Sequence, residues 1–225
     1  MQCVAILLLV AGASTAQTPV KTAREALQPF GELVGSWRGT GTPAGTREEQ
    51  QKNFWQETIA CEWKFKGADA WLVFAFDKSK HFTKAELRYS AEKATYQFKA
   101  DTVDKKQMAF EGTLQGRNLT LETADSDTRL VFTLLHDNRF LYRQETRPAG
   151  KTLYAKMYQV GATKEGVPFA AGSGKPECIV SGGLGTTAVM FQGKTYYVCC
   201  GGCRTEFYED PMKYILEAET KAKKK

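Results

Sequence analysis

The sequence has no apolar run long enough to cross a membrane, and it contains only two histidines. Its apolar stretch near the amino terminus, Val4–Gly12, has about nine residues, less than half the length of a membrane-spanning helix. His81 and His136 lie in or beside polar turns, and neither is close to a cysteine along the chain. This placement favours a structural role for both histidines over a haem or zinc site.

Motifs of the common enzyme classes are also missing. The chain has no Gly-rich phosphate loop, no serine-nucleophile elbow, no paired-carboxylate signature and no internal repeat. Lys221, Lys223, Lys224 and Lys225 supply four of the six net positive charges and form a basic tail over residues 221–225. Basic residues are not interleaved with exposed aromatic ones, as a nucleic-acid surface would require. We therefore predict that the protein is not an enzyme and has no nucleic-acid partner.

The apolar run near the amino terminus predicts export. It suits the core of a secretory signal, and Ala13–Ala16 supplies small residues for cleavage before Gln17. We expect a signal peptide over residues 1–16, a periplasmic or extracellular location, and no transmembrane segment after cleavage. Such a compartment permits disulfides. The mature chain would keep five of the six cysteines, because Cys3 precedes the apolar run.

A period of two dominates the hydrophobic pattern from Gly35 to about Tyr158. Nine or ten short strands at regular spacing, separated by polar turns, predict a closed or nearly closed antiparallel sheet. A helical pattern over Thr22–Leu33 precedes the first strand, and Pro29 should kink or end that helix. Cys61 shares one face of its predicted strand with apolar neighbours, so we expect its thiol to be buried and inert.

The short helix followed by Gly-x-Trp, at Gly35 and Trp37, resembles the start of calycin or lipocalin-like barrels. The resemblance implies a mainly β protein with a calycin-like barrel over residues 17–166. Trp37 would then pack over the closed end of the barrel, with a basic side chain stacked on it. The other aromatic residues are expected to form the core first and to contact a ligand second.

The cysteines near the carboxyl terminus have the spacing of a metal knuckle. Twenty residues separate Cys178 from Cys199, and three separate Cys199 from Cys203. Two thiols would thus lie on a tight turn, and a returning strand would bring back the third. Cys203 is expected to open a helix, where unpaired backbone N–H groups favour the thiolate that binds soft metals.

Local patterns around these cysteines predict a small treble-clef-like ββα unit. Ala188–Gln192 and Thr195–Val198 are predicted strands, joined by a turn at Gly193–Lys194. Gly201–Gly202 would let the chain reverse and point the thiols at a shared centre. A helical turn should follow, and Asp210–Pro211 is typical of the start of a second helix, with Asp as N-cap and Pro at the first position.

One set of residues resembles the YHS/TRASH-type metal-binding domain: Cys178, Tyr196–Tyr197, Cys199, Cys203, Phe207, Asp210–Pro211 and Lys213–Tyr214. The signature of that family is one Cys, about twenty residues, and then Cys-x3-Cys. The resemblance implies a metal-binding domain over residues 175–220, after a linker at 167–174. It also implies binding of copper, zinc or a similar metal in trafficking, sensing or resistance. Cys200 is an additional thiol that the three-cysteine pattern does not use.

The sequence thus predicts an exported protein that binds a soft metal ion through Cys178, Cys199 and Cys203. Copper and zinc are the favoured metals, and Cys200, a water or a partner's side chain would fill a fourth position. A metal-donor or metal-acceptor protein would be its partner. Two alternatives stay open: a barrel that carries a small apolar ligand, with the cysteines as a structural disulfide staple, and a thiol–disulfide exchange protein.

Overall fold

The computed structural model of the chain describes residues 21–136, 138–166 and 176–223. The predicted signal peptide, the linker at 167–174 and the last two lysines lie outside these ranges. Ten of the described strands form a closed antiparallel barrel, which confirms the mainly β, calycin-like fold. They are β1 Gly35–Pro43, β2 Trp55–Lys66, β3 Asp69–Asp77, β4 Phe82–Ser90, β5 Thr95–Thr102, β6 Gln107–Gln115, β7 Asn118–Glu122, β8 Thr128–His136, β9 Arg139–Thr146 and β10 Ala155–Lys164.

The barrel is an up-and-down meander closed between its first and last strands. Each strand pairs with the next one in sequence, and β1 also pairs with β10. In this register Trp37 of β1 lies opposite Ile59 of β2 on one side and Lys164 of β10 on the other. Alternate side chains point inward, as period-two patterning requires. On β2 the buried residues are Trp55, Glu57, Ile59, Cys61 and Trp63.

Helical structure at the amino terminus covers one end of the barrel. Thr22 caps helix α1, Ala23–Leu27, in a reciprocal capping box with Glu25. The helical pattern over Thr22–Leu33 is interrupted near Pro29, as expected: α1 ends at Leu27 and the chain continues as a 3₁₀ helix over Gln28–Leu33. Pro29 lies at the start of this 3₁₀ segment, where its missing N–H ends regular α-helical bonding.

Trp37 packs under this helical cover, as the barrel resemblance implies. Its indole Nε1 donates to the Leu33 carbonyl at 2.6 Å, and its ring meets Phe140 edge-on at 4.8 Å. The stacked basic residue is Lys164, whose Nζ lies 5.1 Å from the centre of the Trp37 ring. The same ammonium donates to the Glu32 carbonyl at 2.9 Å, so it also fixes the 3₁₀ helix to the barrel.

Aromatic rings meet across the middle of the barrel. The ring centroids of Phe74, Phe98 and Phe132 lie 5.4 to 6.4 Å from one another. The expectation that these aromatic residues are core is confirmed. Cys61 is also buried as expected, with 1% of its surface exposed, and this burial raises the pKa of its thiol.

A second short helix, α2 at Arg47–Asn53, was not predicted from the hydrophobic pattern. None of its residues is buried, so apolar periodicity gives no signal there. A local signal does exist: the Thr46 side chain accepts from the Glu49 backbone, and the Glu49 side chain accepts from the Thr46 backbone, in a second capping box.

His81 is expected to make the stability of the protein depend on pH. Burial, and after it the charge of the neighbouring Lys80, lowers the pKa of His81 to about 4. The folded protein therefore keeps this ring neutral down to about pH 4, whereas the unfolded chain protonates it below about pH 6.5. The contribution of His81 to stability is complete above pH 6.5. It should be lost as pH falls from 6.5 to 4, by roughly 1–2 kcal/mol once solvent screening is allowed for.

Urea unfolding at pH 4.5 and 6.5 measures this effect. Carboxylates also titrate near the lower value, so the comparison needs His81→Phe, which keeps a flat ring against Tyr158 and removes the titrating group. The variant should lose less stability than the wild type between the two pH values. Equal losses would contradict the assignment to His81.

Candidate metal centre

A hairpin positions the second cysteine of the predicted knuckle. Strands β11, Thr187–Phe191, and β12, Lys194–Val198, pair antiparallel, and β12 ends directly before Cys199. Their turn is at Gln192–Gly193, where both residues have positive φ, 49° and 74°. The predicted turn at Gly193–Lys194 is therefore wrong by one residue, because a two-residue turn of this twist needs positive φ at both central positions.

Helix α3, Gly201–Glu209, carries the third cysteine in its first turn. The expected chain reversal at Gly201–Gly202 is wrong, since both glycines are helical and Cys200 is the N-cap residue. The predicted start of the second helix is confirmed. Asp210 accepts from the Lys213 backbone N–H at 3.1 Å and caps α4, Pro211–Ala222.

A tight loop presents the first cysteine. The Cys178 backbone N–H donates to the Gly183 carbonyl at 2.6 Å, and the Gly182 N–H donates to the Cys178 carbonyl at 2.8 Å. Gly182 has a φ of 73°, a conformation that costs glycine little. The Ile179 N–H donates to the Tyr197 carbonyl at 2.9 Å, which fixes the loop beside the end of β12.

Three cysteines converge at the meeting point of the loop, the hairpin and α3. The Sγ atoms of Cys178, Cys199 and Cys203 all lie within 4.8 Å of one another, and those of Cys199 and Cys203 are 3.4 Å apart. All three side chains are buried, with 1%, 6% and 0% of their surface exposed. Sulfurs around one tetrahedral zinc would be about 3.8 Å apart, so small shifts suffice to surround an ion. The predicted convergence is confirmed.

Cys200 lies at the edge of this cluster. Its sulfur is 4.0 Å from that of Cys199, but it is outside the group of three that share one centre. The structure describes five cysteines, and all five have free thiols. Cys61 belongs to the barrel and is not part of the three-sulfur group. The assignment of individual cysteines as metal ligands stays a prediction.

Ser181 is a polar neighbour of the cluster that sequence reasoning missed. Its Oγ lies 3.3 Å from the Cys199 Sγ, and its backbone N–H donates to the Cys178 Sγ at 3.5 Å. Hydrogen bonds of this kind stabilise thiolates and orient metal ligands. No motif in the sequence singled out this serine, because it belongs to the cluster only through the tight loop after Cys178.

The electrostatics of the cluster follow from four thiols in one small volume. Hydrogen bonding with Cys199, and then with Cys203, lowers the pKa of Cys178 well below its ordinary value. Hydrogen bonding with Cys199 likewise lowers the pKa of Cys200. The pKa values of Cys199 and Cys203 are raised, chiefly because each shares its proton with Cys178. Without a cation only part of the cluster can ionise, and a bound metal ion would remove that restriction.

The cysteine unit packs against the amino-terminal end of the chain. Arg24 of α1 forms an ion pair with Glu217 of α4 at 3.3 Å and also donates to the Val180 carbonyl. The Arg24 guanidinium lies 5.0 Å from the centre of the Tyr214 ring. These contacts bind α4 and the Cys178 loop to the helical cover of the barrel. The predicted domain boundary at Gly166 stays a prediction.

Fold and site together define a barrel protein with a buried three-cysteine cluster held against one end of the barrel. No protein-family model matches the chain, and no curated protein matches its sequence. Within the described ranges, no helix has both the length and the apolar composition needed to cross a membrane.

Proposed function

We propose that the protein binds one soft or transition metal ion, such as Cu(I) or Zn²⁺, through Cys178, Cys199 and Cys203, after export from the cytoplasm. The observation that carries this proposal is the mutual approach of three buried sulfurs to within 4.8 Å. Cys199 and Cys203 are close along the chain, and the β11–β12 hairpin together with the tight loop at Cys178 brings the first sulfur to the other two. The residue pattern shared with the YHS/TRASH-type domain supports the same function.

The donor set favours a thiophilic metal. Thiolate sulfur selects Cu(I), Zn²⁺ and similar ions over Mg²⁺ or Ca²⁺, which prefer oxygen ligands. Three sulfurs satisfy a three-coordinate ion, and a tetrahedral ion would need one more donor. Cys200, with its sulfur 4.0 Å from that of Cys199, is the nearest additional thiol. A ligand from a metal-donor or metal-acceptor protein at that position would allow transfer of the ion.

Burial suits this role better than it suits thiol–disulfide exchange. An exchanging thiol must be reached by its substrate, whereas the three sulfurs of the cluster belong to side chains that are at most 6% exposed. Cys200 is only partly buried, but a disulfide with the adjacent Cys199 would be strained.

Metal titration of the reduced protein tests the proposal. Protein kept reduced and free of oxygen would be titrated with Cu(I), and separately with Zn²⁺, in competition with a chromophoric chelator. We expect uptake of one ion per chain. The matched control is the same protein with its thiols alkylated after mild unfolding. Uptake no greater than that of the alkylated control would contradict the proposed function.

A further inference from the structure

The end of the barrel opposite the α1 cover contains a second candidate site, away from the cysteines. A cavity of about 230 Å³ opens there, and its walls include Trp55, His81, Tyr158, Lys80 and Gln144. All of these residues lie within the described ranges, and none contacts the metal centre. The volume is below that of most drug-sized sites, so only a small molecule would fit.

The walls of the cavity are flat rings. The His81 and Tyr158 rings stack in parallel, with centroids 3.6 Å apart and planes 2° from each other. The Trp55 ring stands at 67° to both, with centroids 5.2 Å from His81 and 5.9 Å from Tyr158. A parallel pair met by a steeply inclined third ring makes a corner that fits a planar, apolar body.

Buried neighbours on the inner side of the barrel fix the position of the Trp55 ring. Its Nε1 donates to the Glu57 carboxylate at 2.8 Å, and the Tyr142 hydroxyl donates to the other oxygen of Glu57 at 2.5 Å. Glu57 is 2% exposed and does not line the cavity. Both of its carboxylate oxygens accept hydrogen bonds inside the barrel, so neither faces a ligand in the cavity. A Cβ at Gly41 would lie 2.1 Å from the Trp55 ring, so a glycine in β1 is needed for the ring to lie there.

Two polar side chains at the cavity, Lys80 and Gln144, carry more hydrogen-bond donors than their described contacts use. The Lys80 ammonium donates to the Asn53 carbonyl at 3.1 Å and lies 5.2 Å from the centre of the Trp55 ring, but no described carboxylate pairs with it. The Gln144 side-chain oxygen accepts from the Tyr158 hydroxyl at 3.0 Å, which leaves its amide N–H groups available. A cation and an amide beside a ring-walled corner suit a carboxylate.

We infer that this cavity binds a small planar aromatic carboxylate of about the size of benzoate. The ring would pack in the corner formed by Trp55 and the His81–Tyr158 pair, and the carboxylate would accept from Lys80 and Gln144. Lys80 is already anchored by a carbonyl and an indole face, so binding would cost little additional side-chain ordering. This binding site differs from that of a long apolar ligand, because the middle of the barrel is filled by aromatic rings.

Calorimetric titration of the full-length reduced protein with benzoate tests the inference, and benzamide serves as the uncharged probe of the same shape. We expect benzoate to bind at least roughly tenfold more tightly than benzamide, because charge-assisted hydrogen bonds are the stronger kind. Lys80→Met should remove that preference and leave benzamide binding unchanged. Lys66→Met, an exposed lysine at the other end of β2, is the matched control and should leave both affinities unchanged.

Several results would overturn the inference. Absence of benzoate binding at millimolar concentration, equal affinity for the two probes, or a benzoate preference that survives Lys80→Met would each do so. Urea unfolding of each variant would confirm that the fold is intact. The titration should give the same result in Cys203→Ser, which lacks one sulfur of the cluster, so its failure is distinct from failure of the proposed metal site.

Discussion

Cys199→Ser and Cys203→Ser should each abolish stoichiometric binding of Cu(I) or Zn²⁺ to the reduced protein. Each substitution removes one of three converging thiolates and leaves a hydroxyl, which is a poor ligand for soft metals at neutral pH. Both sulfurs lie within the 4.8 Å group, and they are 3.4 Å apart. We expect affinity to fall by roughly a hundredfold or more in competition with a chromophoric chelator.

Cys200→Ser is the matched control for these variants. It changes the same atom type one residue away, but the Cys200 sulfur lies outside the three-sulfur group. If it is only an auxiliary donor, affinity should fall by less than about tenfold. Tight binding that survives Cys203→Ser would count against the assignment of the site. A loss with Cys200→Ser as large as with Cys203→Ser would make the site a four-thiolate centre.

Metal should also stabilise the folded protein if these variants behave as expected. An ion that binds only the folded state raises the free energy of unfolding by about 4 kcal/mol at a thousandfold excess over its Kd. Addition of a strong chelator should reverse the gain in the wild type and have little effect in Cys203→Ser. Because both proteins share one barrel, a difference between them reports on the cysteine unit.

Most of the barrel was predictable because each strand repeats the same physical pattern. On a closed sheet every second side chain faces the core, so the period-two pattern that predicts the strands reappears in the burial of β2, where Trp55, Ile59 and Trp63 face inward. The same alternation puts Glu57 on the inner face. Its burial with Tyr142 and Trp55 as donors depends on strand β9, far along the chain, and was therefore not predictable from local sequence.

The cysteine cluster was predictable for a different reason. The spacing of Cys178, Cys199 and Cys203 is a local constraint that few folds other than a knuckle satisfy. Details that depend on distant contacts were missed. A basic residue stacked on Trp37 was expected, but its identity as Lys164 depends on closure of the barrel between β1 and β10, and Ser181 joins the cluster only through its loop.

Gly201 and Gly202 show most clearly what the sequence could not specify. Adjacent glycines before a cysteine suggest a chain reversal, but the structure makes both residues helical. A Cβ at Gly202 would lie 1.8 Å from the Trp63 carbonyl oxygen, whereas a Cβ at Gly201 would meet nothing within 4 Å. Gly202 is therefore required by the approach of α3 to strand β2, a contact between positions 139 residues apart in sequence.

Gly202→Ala should consequently separate α3 from the barrel and disturb the metal centre. The Trp63 backbone cannot easily move away from the added methyl group, because Trp63 is paired with Leu72 of β3. We expect the free energy of unfolding to fall by about 2–4 kcal/mol, and metal affinity to fall with it because Cys203 is the next residue. Urea unfolding and the chelator competition would measure the two effects.

Gly201→Ala is the matched control, since it adds the same methyl group to the same helical turn in open space. Alanine favours helix by up to about 1 kcal/mol over glycine, so this variant should be as stable as the wild type or slightly more stable. Its metal affinity should be unchanged. Equal stability of the two alanine variants would show that α3 does not lie against Trp63 in solution, and the cysteine cluster would then have to form without support from the barrel.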